Sequence, residues 1–234
     1  MAGDFDALKN KQAELIRKAL DGSVFLSTDL TVAGVITNLT EYRAEVPGPP
    51  IIPAGVDLAE LPETYDDLGW LDTAGAQFSR DVASSEVNSW GSVSPTRTDV
   101  TSDTTTLSVT AQETKLLTIG LATGADMTSV VAAFQTGEVS IAKPSRPKSR
   151  HYRALSVAVD QGDGGEIYIA RFLPRAKVTG YSEQAFGAGD DPITWGVTLT
   201  GETDSDLGYS ERWIFGGEGW NYLLLDMGFT QATS

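Results

Sequence analysis

The sequence predicts a mainly β fold flanked by two α-helices. Three observations carry this. Apolar and polar residues alternate with a period of two in at least four segments, the pattern of half-buried strands. Twenty-four glycines and 10 prolines in 234 residues supply turns between them. Helical periodicity is confined to two segments. No apolar run approaches the ~20 residues that cross a bilayer, so no membrane partner is expected.

The elements follow in order. Residues 5–20 place Phe5, Leu8, Leu15, Ile16 and Ala19 on one helical face, with Lys9, Lys11, Glu14, Arg17 and Lys18 over much of the rest. Asp4 or Asp6 caps the start and Asp21-Gly22 ends it. Residues 24–26 and 31–39, rich in Val, Ile and Thr, read as strands. Pro47, Pro49, Pro50 and Pro53 lack the amide donor that a central strand needs. Residues 44–67 are therefore expected to form a proline-rich loop or arm, of a length that usually serves contact with a partner. Strands are expected at 77–82, 96–100 and 104–111, where Leu107, Val109 and Ala111 alternate with Thr106, Ser108 and Thr110. Residues 112–121 read as the second helix on the stripe Leu116, Leu117 and Leu121. Residues 127–134 fit helix or strand.

The second half is a run of strands. Leu155, Val157 and Val159 alternate with Ala154, Ser156 and Ala158. Gln161-Gly162-Asp163-Gly164-Gly165 turns the chain, because glycine reaches positive φ without steric cost, and residues 167–172 return as a hairpin. Residues 176–183 and 194–200 follow, the latter with Ile193, Trp195, Val197 and Leu199 on one face. A last strand is expected near 212–215.

Composition excludes several chemistries. The chain has no cysteine, which removes disulfides, thiol catalysis and Cys-based metal sites. Its single histidine, His151, sits beside Arg150 and Arg153 and reads as a surface residue. Asp160, Asp163 and Glu166 lack the alternate-position ligands of a calcium loop. The pairs Asp66/Asp67, Asp190/Asp191 and Asp204/Asp206 offer two carboxylates of the kind glycoside hydrolysis uses, but read as solvated loop acids in a chain with 32 of them. Trp70, Trp90, Trp195, Trp213 and Trp220 fit a core or a subunit interface, or a sugar-binding row. No catalytic, cofactor-binding or metal-ligating residue is assigned, and no cofactor is expected.

A formal charge of −15 disfavours tight nucleic-acid binding and favours solubility. Against it, residues 143–153 hold five basic residues and no acid. Lys143, Arg146, Lys148 and Arg150 fit contact with DNA phosphate or, more economically, with acidic surface on a neighbouring copy of the chain. The charged, amphipathic start is not a signal peptide, and synthesis in a cytoplasm is expected.

An ordered series of short motifs resembles the major tail protein of actinobacteriophages, long-tailed and non-contractile. It comprises Gly69-Trp70-Leu71-Asp72, Phe78-Ser79-Arg80-Asp81-Val82, Trp90-Gly91, Pro95-Thr96-Arg97 and Thr110-Ala111-Gln112-Glu113-Thr114. It continues through Lys143-Pro144, Arg146-Pro147, Tyr152-Arg153-Ala154-Leu155, the run from Gly164 to Phe172, Asp190-Asp191-Pro192-Ile193-Thr194, Gly208-Tyr209-Ser210 and Gly216-Gly217-Glu218-Gly219-Trp220. The resemblance implies one tail tube domain over residues 1–234, built as two packed antiparallel sheets of the β-sandwich or barrel type. It implies hexameric rings stacked around a tape-measure protein, with tail terminator and distal tail proteins at the ends and double-stranded DNA in transit. The protein would reside in the host cytoplasm before assembly and in the virion tail after it. Pro47, Pro49, Pro50 and Pro53 then join the basic residues as candidate inter-subunit contacts, and the Thr-, Ser- and acid-rich strand faces become a negatively charged lumen. Two other classes fit the residues: a carbohydrate-binding β-sandwich and a carboxylate-dependent hydrolase.

Overall fold

A computed structural model describes residues 9–47, 53–146, 149–187, 189 and 192–232. Among these residues ten strands and two α-helices follow one another: β1 (Asp21–Ser27), β2 (Thr40–Arg43), β3 (Gly55–Leu58), β4 (Tyr65–Asp67), β5 (Gln77–Val87), β6 (Arg97–Ala111), α1 (Leu116–Thr123), β7 (His151–Gly162), β8 (Gly165–Tyr181), β9 (Trp195–Gly201), β10 (Arg212–Gly216) and α2 (Glu218–Leu223). Eight strands form one antiparallel sheet in the order β4-β1-β7-β8-β9-β6-β5, with β10 also paired to β8. β2 and β3 form a separate hairpin.

β8 organises the sheet. Its first half pairs with β10, from Tyr168 to Phe172, and its second half with β9, from Ala176 to Tyr181. β7 runs along the other side from Gly165 to Lys177. Pro174 lies between the halves and has no amide to give the ladder; the β7–β8 register shifts opposite it, between Tyr152 and Ala154.

The sheet then folds over itself. The Arg171 guanidinium of β8 lies 3.7 Å from the Phe78 ring centroid in β5, although β9 and β6 separate these strands in the sheet order. Thr105 of β6 likewise donates to Glu211, which precedes β10, at 3.0 Å. The result is two layers of one sheet around a common core of Val24, Leu26, Leu107, Val109, Leu173, Val197 and Leu199, capped by Leu121 of α1. The sheet does not close into a barrel. A second core lies on the opposite face of β1, β7 and β8, where Leu155, Val157 and Phe172 are covered by Ile36, Leu39, Leu61, Tyr65 and Tyr209.

Local chemistry sets the helix bounds. Gln112 donates its amide to the Trp70 carbonyl at 2.8 Å and Ala111 is still in β6, so α1 cannot begin at 112. The Thr118 hydroxyl accepts the Lys115 amide at 2.9 Å and opens the helix there. Gly124, at φ 65°, ends it in the left-handed conformation that favours glycine.

Three further sequence expectations are corrected. Of the helix expected over residues 5–20, residues 5–8 lie outside the described residues. Residues 9–20 hold only a 3-10 turn at Ala13–Leu15. Here β-type tethering to β7 overrides helical periodicity: the Leu20 amide bonds the Val159 carbonyl at 2.9 Å, and Asp160 receives the Lys18 amide and the Arg17 guanidinium. Residues 31–39 are not a strand but a 3-10 turn, Val32–Gly34, followed by chain that buries Ile36 and Leu39. A Cβ at Gly34 would meet the Asp29 carbonyl at 2.6 Å, so the tight passage needs glycine. The stretch 44–67 is not all loop, because β3 and β4 lie within it. Helix α2 is an element that sequence periodicity does not reveal.

Candidate assembly surfaces

β5 and β6 continue past the core as a two-stranded ribbon. Residues 79–98 are exposed on both faces of the strands and through the connecting loop. Arg80 bonds Asp103 through Nε at 2.7 Å, and Arg97 bonds Asp99 at 2.6 Å. The tip closes with the Thr96 amide on the Val87 carbonyl at 2.8 Å. Residues 87–96 carry no charged side chain. Trp90 and Val93 stand fully in solvent there, at 106% and 105% of reference exposure, and Val100 is exposed behind them. A lone two-stranded ribbon gains little stability in water, and a fully exposed tryptophan has no use within this subunit.

A second projection links α1 to β7. Described residues 124–146 and 149–150 form no helix or strand, only turns. One is closed by the Ala133 amide on Glu138 and the Gly137 amide on Ala133, with Gln135 at φ 71°. Val131 and Phe134 are 82% and 91% exposed. Lys143 and Arg146 lie exposed on this arm. Arg150 is engaged at its base, 2.6 Å from Asp126. That hydrogen bond, then those from Thr128, holds the Asp126 carboxyl well below the usual range. Lys148, Pro49 and Pro50 lie outside the described residues. Pro47 follows β2, and Pro53, near β3, accepts a hydrogen bond from Arg43 at 3.4 Å.

The third surface is the outer face of β6, β9 and the second half of β8. Leu107, Val109, Val197 and Leu199 point into the core. Their neighbours Thr106, Ser108, Thr110, Thr198, Thr200 and Thr179 form a layer of hydroxyls on the other side. Ser108 and Thr198 hydroxyls are 3.0 Å apart, and those of Thr179 and Thr200 are 2.7 Å apart. Where this layer meets β7, Glu202 gathers three basic side chains. Lys177 pairs with Oε1, and His151 Nε2 lies 3.0 Å and Arg175 Nε 3.9 Å from Oε2. Arg175 Nη2 is 3.4 Å from His151 Nδ1. The geometry fits a neutral imidazole that donates to Glu202 and accepts from Arg175. Lys177, with His151, holds the Glu202 carboxyl below the ordinary glutamate range.

Four aromatic rings pack along β10, α2 and the tail, the first three stacked and the last tilted. Trp213 and Phe215 are 6.0 Å apart, Phe215 and Trp220 4.8 Å, and Trp220 and Phe229 5.7 Å between centroids. Arg171 covers the far side of Trp213 at 4.1 Å. These rings take one another's faces rather than presenting a flat row to a sugar. Trp195 is held separately by its Nε1 donating to Thr114 at 3.2 Å.

Several of the acids singled out in the sequence accept hydrogen bonds within the chain. Asp67 accepts from Ser23 and from the Gly69 amide, Asp160 from Arg17, and Asp204 from the amides of Asp206 and Leu207. Asp190 and Asp191 lie outside the described residues. The basic arm was visible to sequence reasoning. The ribbon tip and the Glu202 cluster were not, since one is uncharged and the other joins residues far apart in the chain.

Residues 10–215 match a family model described as phage tail tube protein. No curated protein matches.

Proposed function

The chain belongs to the phage tail tube protein family, and we propose that six copies close into a ring and that such rings stack into the tube of a long-tailed, non-contractile actinobacteriophage. As a structural subunit of the tail it assembles with other tail components. In our reading residues 1–234 act as one tail tube domain with no catalysis of its own. The tube encloses a tape-measure protein, meets a tail terminator and distal tail proteins at its ends, and conducts double-stranded DNA into the host. Subunits wait in the host cytoplasm before assembly.

One observation carries this reading: the ribbon of β5 and β6 exposes Trp90 and Val93 completely. Large apolar side chains held on a built projection mark a protein–protein contact. A contact between unlike surfaces of identical subunits closes into a ring where its rotation allows and otherwise builds an open filament. The arm with Lys143, Arg146, Lys148 and Arg150, and the loop with Pro47, Pro49, Pro50 and Pro53, supply further contacts between copies. The hydroxyl face of β6, β9 and β8 becomes the lumen wall. Its charged groups in the core of the sheet are Arg175, Lys177 and Glu202. The wall is then uncharged over most of its area, rather than densely acidic, and the bulk of the −15 lies elsewhere.

Negative-stain electron microscopy of the concentrated protein tests the reading. Hollow tubes with sixfold rings are expected. Monodisperse single subunits at every concentration and salt tried would overturn it.

A further inference from the structure

The other ion pairs named among the described residues match one base to one acid, as in Arg43–Asp57, Arg80–Asp103, Arg97–Asp99 and Arg171–Glu211. The Glu202 cluster differs, because a single carboxylate faces Lys177, Arg175 and His151. All four side chains are part-exposed, between 23% and 37%. They sit at the margin of the hydroxyl layer, with Thr200 opposite Lys177 in the ladder. A guanidinium, an ammonium and an imidazole converging on one point make an oxyanion site, and phosphate suits such a fork-and-point-charge arrangement.

We propose that Glu202 is an internal counter-ion, which fills an oxyanion site made by Lys177, Arg175 and His151 and so keeps it from taking phosphate. Lys177 and His151 Nε2 turn to the Glu202 carboxylate, while Arg175 holds Nε 3.9 Å from it and gives Nη2 to His151 Nδ1. The Glu202 amide donates to the Arg175 carbonyl at 2.7 Å, which fixes the residue against the strand that carries two of its partners. The carboxylate is therefore tethered at high effective concentration, and an external phosphate must displace it. The consequence for the virion rests on the lumen reading above. DNA would pass a wall whose few cations are already occupied, and a wall with bare cations would hold phosphates by counterion release at each ring.

The test uses the unassembled subunit and inorganic phosphate. His151 is the single histidine of the chain, so its imidazole NMR signals are unambiguous. Wild type and Glu202→Gln are titrated with phosphate, with sodium chloride at matched ionic strength as the control. Glu202→Gln should bind about tenfold more tightly, the factor set by one charge-assisted hydrogen bond no longer in competition. Adding Arg175→Gln should return binding to the wild-type level. Far-ultraviolet circular dichroism checks the fold, and Glu202→Ala serves as a second variant if the first is perturbed. Binding in both variants no tighter than in wild type, or no stronger for phosphate than for chloride, overturns the proposal. Because no tube is needed, the result is independent of which face lines the lumen. Phosphate binding by Glu202→Gln with the cluster outside the lumen would keep the site and remove only the wall assignment.

Discussion

Arg171 and Phe78 meet with the guanidinium 3.7 Å from the ring centroid, across two intervening strands of the same sheet. This contact closes the two layers on each other. Arg171 also stacks on Trp213 at 4.1 Å and pairs with Glu211, and both members of that ion pair are largely buried. Arg171→Ala removes the stack and strands the Glu211 charge. We expect a loss of about 3 kcal/mol in urea unfolding, in the range for breaking a buried pair, whereas Arg171→Lys keeps the charge but not the planar stack and should lie in between.

Trp90 should matter to assembly and not to folding. It contributes no buried surface to its own subunit. Trp90→Ser with Val93→Ser should therefore change the unfolding free energy by no more than about 0.5 kcal/mol. The same variant should lose polymerisation, read by light scattering and electron microscopy. Normal tubes from it would remove the ribbon from the interface.

Reversing Lys143, Arg146, Lys148 and Arg150 to Glu should block polymerisation while circular dichroism of the subunit stays unchanged. Single reversals should be mild, since exposed ion pairs each contribute little. Arg150 is the exception in kind, because it holds Asp126 within the subunit; its reversal should loosen the arm, seen as faster amide exchange around residues 126–130.

The acid limb of stability should carry the mark of Glu202. Its carboxyl is depressed in the folded state, chiefly by Lys177. A depressed carboxylate contributes stability that is complete above its unfolded pKa and disappears as pH falls through its folded pKa. Wild type should thus lose stability relative to Glu202→Gln as the pH falls from about 5 towards 3. Parallel pH profiles for the two proteins would show that the cluster contributes nothing to folding.

Much of the sheet is legible in the sequence, and the illegible parts have physical causes. β9 follows the period-two pattern because one of its faces is buried; β7 keeps it with both faces covered, because the larger Leu155 and Val157 lie on one face and Ala154 and Ser156 on the other. β6 reads as two strands, 96–100 and 104–111, since its outer half has solvent on both faces and so nothing enforces alternation. β8 also reads as two, because Pro174 interrupts its pattern at the point where it changes partner from β10 to β9. Residues 9–20 have helical periodicity, yet bonds from Leu20 and Arg17 to β7 decide their conformation. Of the candidate surfaces, the basic arm is legible as a charge reversal. His151, Arg175, Lys177 and Glu202 meet only through strand pairing, and Trp90 looks like any other tryptophan until the ribbon places it in solvent.

Cryo-electron microscopy of the polymerised chain tests the central claim most directly. The account predicts a hollow tube of sixfold rings, with Thr106, Ser108, Thr198 and Thr200 facing the channel and Trp90 buried against a neighbouring copy. A polymer with that hydroxyl face on its outer surface and Trp90 in solvent would contradict it.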